Sequence, residues 1–339
     1  MVRLAVVGAG GLVGRRVVEV FDKDPGIDLQ LYVTGYKRSV GKSVQYKGKC
    51  LRISKTNPET LRKMDIVLLC TQAQVSVELA SYLRGGPVIV DTSSAFRMVK
   101  DVPLVVPEVN GSETALHNGL IAGPNCSTIQ LVMSLYPIHR ELGLARVHVS
   151  TYQSVSGAGY MAIEELEKSS FEKIASGTTG FSKSQSQFPH PIAFNLIPQI
   201  DSFTDGGYTK EEMKMVNEAR KILGLENLAI SCTCVRVPVF FGHSEACLVE
   251  TVMEPSVDKV RQCLGEFPGV KVVDDPANQM YPMPLYSEDT DDVYVGRIRK
   301  DLSFSHGILY WLVADNLRRG AATNACNIVK SLLNYRHKG

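Results

Sequence analysis

The chain has 339 residues, of which 44% are hydrophobic and 21% are charged, and its formal net charge at pH 7 is +2. This length predicts two domains, and the balanced charge argues against a nucleic-acid partner. No apolar stretch approaches the roughly 18 residues of a membrane span, and no signal-peptide pattern precedes the first apolar run, so we expect a cytoplasmic protein. The eight cysteines show neither a disulfide framework nor paired C-x-x-C spacing for a metal.

The N-terminal segment reads as a strand, a glycine turn and a helix. Residues 4–7 form an unbroken apolar run, and Gly8, Gly10, Gly11 and Gly14 follow it. Such a turn lets the backbone approach a pyrophosphate bound at the start of the helix. A glycine pattern by itself also fits a tight turn in any α/β protein, but the strand-to-helix context predicts nucleotide binding.

A basic loop follows the second predicted strand, residues 29–34. It contains Tyr36, Lys37, Arg38 and Ser39, whereas a site that prefers NAD usually carries a carboxylate here for the ribose 2′-hydroxyl. Cations and a hydroxyl at this place indicate a 2′-phosphate, and therefore NADP. The alternative is a basic surface loop without a ligand.

Apolar runs then alternate with helical patterns through the first third of the chain. Residues 66–70, 88–90 and 120–122 read as buried parallel strands, with a helix at 75–83, which is typical of a doubly wound α/β sheet. Further along, strands of alternating polarity such as 147–151 are typical of an antiparallel sheet with one covered face. A second domain is therefore predicted there.

The octapeptide at residues 123–130, Gly-Pro-Asn-Cys-Ser-Thr-Ile-Gln, places Cys126 where a strand gives way to a helix. Free backbone N–H groups and the helix dipole favour an anion at that position, so we expect a lowered thiol pKa and a nucleophilic thiolate. The competing interpretation is a small buried hydrophobic residue. Pro137 predicts a kink further along the same helix.

Three further groups carry side chains suited to acid–base work or to anion binding. His243 follows a glycine in a turn before a strand, and the ordinary pKa of histidine suits a proton relay. The planar fork of Arg236 matches a carboxylate. Residues 209–212 form a capping box, and Glu211 and Lys214 share one face of the helix that follows, where the simplest interpretation is a solvated ion pair.

Motifs along nearly the whole chain resemble those of aspartate-semialdehyde dehydrogenase. They are the glycine turn and the segments at 93–97, 106–110, 124–128, 152–159, 192–195, 236–239, 242–245, 315–316 and 320–322. The resemblance implies an α/β protein with a Rossmann-type dinucleotide-binding domain. Its second part would be an α+β catalytic and dimerisation domain like that of glyceraldehyde-3-phosphate dehydrogenase.

The resemblance also implies domain bounds and an assembly. The NADP-binding domain spans residues 1–125, and the catalytic and dimerisation domain spans 126–317. The C-terminal helix at 318–339 returns to the first domain. We expect a homodimer or a homotetramer with no nucleic-acid or membrane partner.

Catalytic roles carry over to matching positions. Cys126 attacks the substrate carbon to form a thiohemiacetal and then a thioester. His243 serves as the acid–base residue. Gln153, which we expect on one strand face with Thr151 and Val155, orients the intermediate; a structural amide is the alternative.

Binding roles carry over in the same way. Arg236 binds the substrate α-carboxylate, Glu211 binds its ammonium group, Lys214 and Arg97 bind phosphate, and Asn125 belongs to the substrate site. The implied cofactor residues are Gly8, Gly10, Gly11, Leu12, Val13, Lys37, Arg38, Ser39, Ser156, Gly157 and Asn316. Two positions depart from the family pattern: Tyr36 stands where a hydroxyl residue usually precedes the 2′-phosphate arginine, and residues 324–327 contain Asn where many relatives carry Gln.

The implied reaction is the reversible, NADP-dependent reduction of L-4-aspartyl phosphate to L-aspartate 4-semialdehyde and phosphate, in lysine, threonine and methionine biosynthesis. One alternative is N-acetyl-glutamyl-phosphate reductase, which Glu211 disfavours because an acetylated amine has no charge to pair. Another is a non-catalytic dinucleotide-binding scaffold. The joint presence of Cys126, Gln153, Arg236 and His243 argues against the scaffold.

Overall fold

The computed structural model describes residues 1–178 and 180–336. The strands are β1 (Val2–Val7), β2 (Leu29–Gly35), β3 (Ser43–Tyr46), β4 (Lys49–Arg52), β5 (Ser54–Lys55), β6 (Ile66–Leu69), β7 (Val88–Asp91), β8 (Leu120–Ala122), β9 (Leu144–Gln153), β10 (Ala229–Arg236), β11 (His243–Thr251), β12 (Val270–Val272), β13 (Val293–Lys300) and β14 (Gly307–Ala314).

The α-helices are α1 (Leu12–Lys23), α2 (Pro58–Leu61), α3 (Ala73–Leu83), α4 (Pro107–Asn110), α5 (Cys126–Leu142), α6 (Tyr160–Ser176), α7 (Lys210–Leu223), α8 (Val257–Gly265), α9 (Pro284–Ser287) and α10 (Asn324–Arg336). Short 3₁₀ turns lie at Gly111–Leu116, Val155–Ala158 and Pro276–Asn278, and a π-helical turn at Arg318–Thr323 leads into α10. Among the described residues no helix is both long enough and apolar enough to cross a membrane.

One compact unit consists of residues 1–129 and 221–223 together with the C-terminal stretch from residue 320. Its parallel sheet has the order β5-β2-β1-β6-β7-β8. The chain runs outward from β1 to β2 and then returns to β6 on the other side of β1. In doubly wound sheets ligands bind at such a switch point, beyond the carboxyl ends of the strands. The glycine turn follows β1 at that end.

The central strands of this sheet are apolar because both of their faces are buried. Leu4 and Val6 belong to a core cluster that includes Val329 of α10. Ala5 and Val7 belong to a second cluster on the opposite face. The doubly wound parallel sheet predicted from the apolar runs is confirmed.

A second compact unit consists of residues 130–220 and 224–319. Its sheet has the order β10-β9-β11-β14-β13-β12. The central pairs are antiparallel, but β10 runs parallel to β9 and β12 runs parallel to β13. A purely antiparallel sheet is therefore wrong: α6 and α7 lie in the chain between β9 and β10, and such a long connection brings the next strand back in the same direction. The covered face is confirmed, since Val147, Val149 and Thr151 alternate inward.

Two local expectations need correction. Val155 does not continue the strand of Gln153, because β9 ends at Gln153 and Val155 begins a 3₁₀ turn. The C-terminal helix proper begins at Asn324, after the π-helical turn, and residues 337–339 of the predicted span lie outside the described residues. Pro137 lies inside α5, which continues through it to Leu142.

Candidate active site

The glycine turn after β1 leaves an uncapped helix N-terminus. Gly8 has a φ of +85°, and its N–H donates to the carbonyl of Thr34 (2.9 Å). Gly11 stands at the N-cap position of α1 and supplies no side-chain cap for the first turn, which Leu12 and Val13 open. The N–H groups of an uncapped turn suit an anion, so these residues fit the pyrophosphate of a dinucleotide.

The basic loop lies against the same turn at Ser39. A Cβ on Gly10 would stand 2.2 Å from Ser39 Cβ, so glycine is required for this approach. The N–H and hydroxyl of Ser39 both donate to the carbonyl of Tyr36 (2.9 and 3.0 Å). Lys37 and Arg38 are exposed. The predicted cofactor residues of the turn and of the loop are thus neighbours, with the two cations facing solvent.

Cys126 is the first residue of α5 and is half-buried. Asn125 caps this helix, because its Oδ1 accepts from the N–H groups of Ser127 (3.0 Å) and Thr128 (3.4 Å). A Cβ on Gly320 would stand 2.9 Å from Cys126 Cβ, so glycine lets that segment approach the cysteine. Two of the N–H groups that we expected to face a thiolate are therefore bound by Asn125. The helix dipole remains as a favourable influence on a thiolate.

Arg97 is buried beside the segment that leads to Cys126. Its Nε donates to the carbonyl of Gly123 and its Nη2 to the carbonyl of Thr92, both at 3.0 Å. Lys221 donates to three carbonyls of the 97–102 loop, at 2.8 to 3.0 Å, including that of Arg97 itself. Arg97 is therefore fixed by its own side-chain hydrogen bonds and by the bond that its carbonyl accepts from Lys221.

His243 is fully buried at the start of β11. Its Nδ1 lies 3.1 Å from the backbone N of Ser154 and 3.1 Å from that residue's Oγ, whereas Nε2 has no hydrogen-bond partner among the described residues. A backbone N–H only donates, so Nδ1 accepts and the neutral ring carries its proton on Nε2. Burial first, and then the charge of Arg236, hold the pKa of His243 well below its ordinary value. The folded environment therefore moves the pKa of His243 away from the ordinary value on which the sequence argument was based.

Gln153 and Glu211 form a buried pair. Gln153 Nε2 donates to Thr151 Oγ1 and to Glu211 Oε1, both at 3.3 Å. Glu211 Oε2 lies 3.3 Å from Lys214 Nζ, and the same Nζ lies 2.8 Å from Asp201 Oδ2. Burial by itself would lower the pKa of Lys214, but the charge of Glu211 and the bond to Asp201 raise it. The solvated ion pair is wrong, because Glu211 is only 5% exposed.

The capping box at the start of α7 is confirmed. Thr209 N donates to Glu212 Oε2 (2.7 Å), and Glu212 N donates to Thr209 Oγ1 (3.3 Å). Glu212 Oε1 also accepts from the N–H of Cys234 in β10 (2.9 Å). This bond fixes the helix of Glu211 against the strand that ends at Arg236.

Gly157 leaves a space between Arg236 and His243. A Cβ on Gly157 would stand 3.2 Å from Arg236 Nη1 and 3.2 Å from His243 Nε2. Arg236 is buried, and its Nη1 donates to the carbonyl of Ser154 at 2.6 Å. A guanidinium and an imidazole N–H therefore border the same glycine, where the missing Cβ leaves a gap between them.

Asn316 and Ser156 are bonded to each other and to the histidine turn. Asn316 Oδ1 accepts from the N–H of Gly242 (3.0 Å), which fixes the orientation of the amide. The hydroxyls of Ser154 and Ser156 each lie 3.1 Å from this oxygen, and Asn316 Nδ2 lies 3.0 Å from Ser156 Oγ. Both predicted cofactor residues thus have hydrogen bonds within the protein, and their cofactor role stays a prediction.

Sequence reasoning missed three residues that hold the candidate site in place. Ser154 lies inside a recognised motif, but nothing in its spacing singles out its hydroxyl. Asp201 is in a loop at a φ of +68°, and no local pattern pairs it with Lys214. Lys221 reads as an ordinary helical charge, since its three carbonyl partners lie at least 119 positions earlier in the chain.

Two family models match most of the chain. One describes the NAD-binding domain of semialdehyde dehydrogenases and matches residues 3–117. The other describes the dimerisation domain of semialdehyde dehydrogenases and matches residues 135–319. The two matches fall on either side of the octapeptide that contains Cys126.

Curated relatives match over nearly their full lengths. The aspartate-semialdehyde dehydrogenase of Aquifex aeolicus is 48% identical over 337 residues, with 98% of each chain covered. That of Bacillus subtilis is 44% identical over 340 residues, with 97% of this chain and 96% of the relative covered. Among solved structures, aspartate semialdehyde dehydrogenase II of Vibrio cholerae complexed with ASA is 39% identical, covers 98% of both chains and superposes with a TM-score of 0.91.

Proposed function

Because this chain belongs to the aspartate-semialdehyde dehydrogenase family, we propose that Cys126 carries its reaction through a covalent thioester. The enzyme catalyses the reversible reductive dephosphorylation of L-4-aspartyl phosphate to L-aspartate 4-semialdehyde and phosphate, a step of lysine, threonine and methionine biosynthesis. It uses a nicotinamide dinucleotide and small-molecule substrates. The thioester route, the preference for NADP and the roles of individual residues are proposed.

In the proposed route the Cys126 thiolate attacks the acyl carbon of aspartyl phosphate. The carbon–sulfur bond forms as the carbon–oxygen bond to phosphate breaks, and phosphate leaves with the bonding electrons. A reduced nicotinamide, when bound, would supply the hydride that converts the thioester to a thiohemiacetal. The resulting thiohemiacetal then releases the aldehyde and the thiolate, so one difficult displacement becomes two easier steps. The position of Cys126 at the start of a 17-residue helix is the observation that carries this proposal.

His243 acts on the oxygen of the reacting carbon. Its Nε2–H has no partner among the described residues and borders the gap at Gly157, so it is placed to donate to an oxygen that gains negative charge. A depressed pKa keeps the ring neutral at pH 7, which makes a hydrogen-bond donor the resting state. Gln153 orients the intermediate from its buried position beside Glu211.

The charged residues of the candidate site bind different groups of the substrates. Arg236 binds the α-carboxylate and Glu211 binds the α-ammonium, while Arg97 and Lys214 bind phosphate, with Asn125 also in the substrate site. Lys214 is bonded to Glu211 and Asp201 in this structure. Lys214 has a third N–H for phosphate, and Glu211 has further lone pairs for the substrate ammonium.

We assign NADP as the preferred cofactor, bound by residues 1–125. The turn residues Gly8, Gly10, Gly11, Leu12 and Val13 would hold the diphosphate. Lys37, Arg38 and Ser39 would bind the 2′-phosphate, and Ser156, Gly157 and Asn316 would bind the nicotinamide end. The second domain, residues 126–317, mediates a homodimer or a homotetramer. The dimerisation-domain match supports this assembly. We place the enzyme in the cytoplasm.

The decisive experiment combines an assay with one substitution. Phosphate-dependent formation of NADPH from aspartate semialdehyde is expected for the wild type. Cys126→Ser should retain the thermal melt and NADP binding but lose nearly all turnover, because a serine hydroxyl is far less ionised than the thiol. Cys50→Ser is the matched control, since Cys50 is an exposed thiol on the β3–β4 hairpin. Substantial turnover by Cys126→Ser with an unchanged melt would overturn the covalent route.

A further inference from the structure

Ser154 contacts four of the predicted site residues at once. Its N–H donates to His243 Nδ1, its carbonyl accepts from Arg236 Nη1, and its hydroxyl lies 3.1 Å from each of His243 Nδ1, Asn316 Oδ1 and Ser156 Oγ. The residue is 0% exposed. Each polar atom of Ser154 therefore has a partner, and two of those partners carry proposed roles in the reaction.

The two donors of Ser154 act differently on the imidazole. The backbone N–H only donates, so it favours the tautomer with a bare Nδ1 and a proton on Nε2. In that state the hydroxyl can also point its proton at Nδ1. Asn316 Oδ1 only accepts, and its orientation is fixed by the N–H of Gly242, so it offers the hydroxyl proton a second acceptor.

A doubly protonated histidine carries a proton on Nδ1 as well as on Nε2. The Nδ1–H then needs an acceptor, and the backbone N–H of Ser154 cannot serve. Ser154 Oγ can accept if its own proton turns toward Asn316 Oδ1, and this rotation moves no proton between residues. The hydroxyl is thus the partner of Nδ1 in both states of the ring.

We propose that Ser154 is a positioning residue that holds His243 in the tautomer with a bare Nδ1 and an Nε2–H aimed at the reacting oxygen, and that its hydroxyl, anchored by Asn316, accepts from Nδ1–H when the ring is doubly protonated. This inference rests on the proposed role of His243. In the neutral tautomer Nε2–H donates a hydrogen bond to the oxygen that gains negative charge, and no proton leaves the ring. At low pH, when Nδ1 is also protonated, the positive charge on the ring is shared with the Ser154 oxygen through Nδ1–H. Arg236 is the charged group that faces the ring and opposes this state, while Ser154, Ser156 and Asn316 are uncharged.

The kinetic test is Ser154→Ala, which removes the hydroxyl and keeps the backbone N–H. We expect kcat to fall by about 10- to 100-fold, within the range of general acid–base contributions, while both substrate KM values stay within about threefold. The acidic limb of the pH–rate profile should move to lower pH, because the imidazolium loses its acceptor. Ser154→Thr, which restores a hydroxyl, should recover much of the rate.

The matched control is Ser134→Ala. Ser134 is equally buried, and its hydroxyl is bonded to Tyr310 and to the carbonyl of Leu131. This variant should lower the melting temperature without moving the pH profile. An unchanged kcat and an unmoved acidic limb in Ser154→Ala would overturn the proposal, and so would equal shifts in both alanine variants.

A spectroscopic measurement needs no variant of Ser154. Nitrogen-15 NMR of histidine-labelled wild-type enzyme, with His243 assigned by its loss in His243→Asn, should show Nδ1 as an unprotonated acceptor and Nε2 as protonated at pH 7. A resting ring protonated on Nδ1 would overturn the tautomer assignment. An enzyme with these signals but without phosphate-dependent turnover would instead contradict the proposed function, so the two failures are distinguishable.

Discussion

Replacement of Arg236 by lysine should weaken binding of the semialdehyde and spare phosphate. Arg236 is 5% exposed and donates to the carbonyl of Ser154 at 2.6 Å. A guanidinium holds that carbonyl and a carboxylate at the same time, because its donors form a rigid fork. A lysine ammonium keeps the charge but cannot reproduce the fork, so one charge-assisted hydrogen bond to the substrate is lost.

The expected magnitude follows from that single bond. Hydrogen bonds to charged groups contribute about 1.5–3 kcal/mol, so the semialdehyde KM should rise by about 10- to 150-fold. Steady-state rates with each substrate varied at fixed NADP measure this change. The lysine also loses the bond from Arg236 Nη1 to the carbonyl of Ser154, which can destabilise the fold. A melting curve for the variant measures that part of the effect.

Arg97→Lys is the paired variant, with the opposite expectation. Arg97 is similarly buried and bonds to the carbonyls of Gly123 and Thr92. Its replacement should raise the phosphate KM and leave the semialdehyde KM within a few-fold. If Arg97→Lys raises the semialdehyde KM and spares phosphate, the two anion assignments are reversed. If Arg236→Lys affects neither constant, Arg236 is not a substrate residue.

Three further outcomes are expected. Arg38→Ala should weaken NADP much more than NAD in binding assays, because the exposed cation would face the 2′-phosphate; equal losses would remove that role from the loop. Lys221→Met should raise the phosphate KM several-fold, because the loop of Arg97 loses three backbone hydrogen bonds, and an unchanged value would contradict this. Burial raises the pKa of Glu245 well above 4.5, so the folded protein keeps a proton that the unfolded chain releases, and stability falls as the pH rises above 4.5. Glu245→Gln should therefore raise the melting temperature at pH 8 much more than at pH 4.5, and equal shifts at both would refute a neutral carboxyl.

Local sequence patterns determined the elements that present the chemistry. The glycine turn between β1 and α1, the cysteine at the start of α5 and the capping box at 209–212 were all predictable, because each depends on bonds between residues a few positions apart. Burial of both sheet faces was likewise legible in the apolar runs of β1 and β6. The resemblance to one family added the roles of residues that lie far apart in the chain.

The tertiary structure determined the protonation states of those residues and their hydrogen-bond and ion-pair partners. The pKa of His243 is lowered by complete burial and by Arg236, which lies on another strand. Neither influence can be read from the sequence around His243. Asp201 reaches Lys214 from a loop 13 positions away, so that Lys214 bonds to both Asp201 and Glu211, and of these three residues only Glu211 is buried.

The strand directions and the hydrogen bonds around Ser154 also arise only in the folded chain. Alternating polarity reports which face of a strand is covered, but not whether its neighbour runs parallel, and the edge strands β10 and β12 proved parallel to their neighbours. Ser154 meets Arg236, His243 and Asn316, which lie 82, 89 and 162 positions further along the chain. No local period encodes such separations, because the hydrogen bonds form only after the strands and turns that carry these residues have packed together.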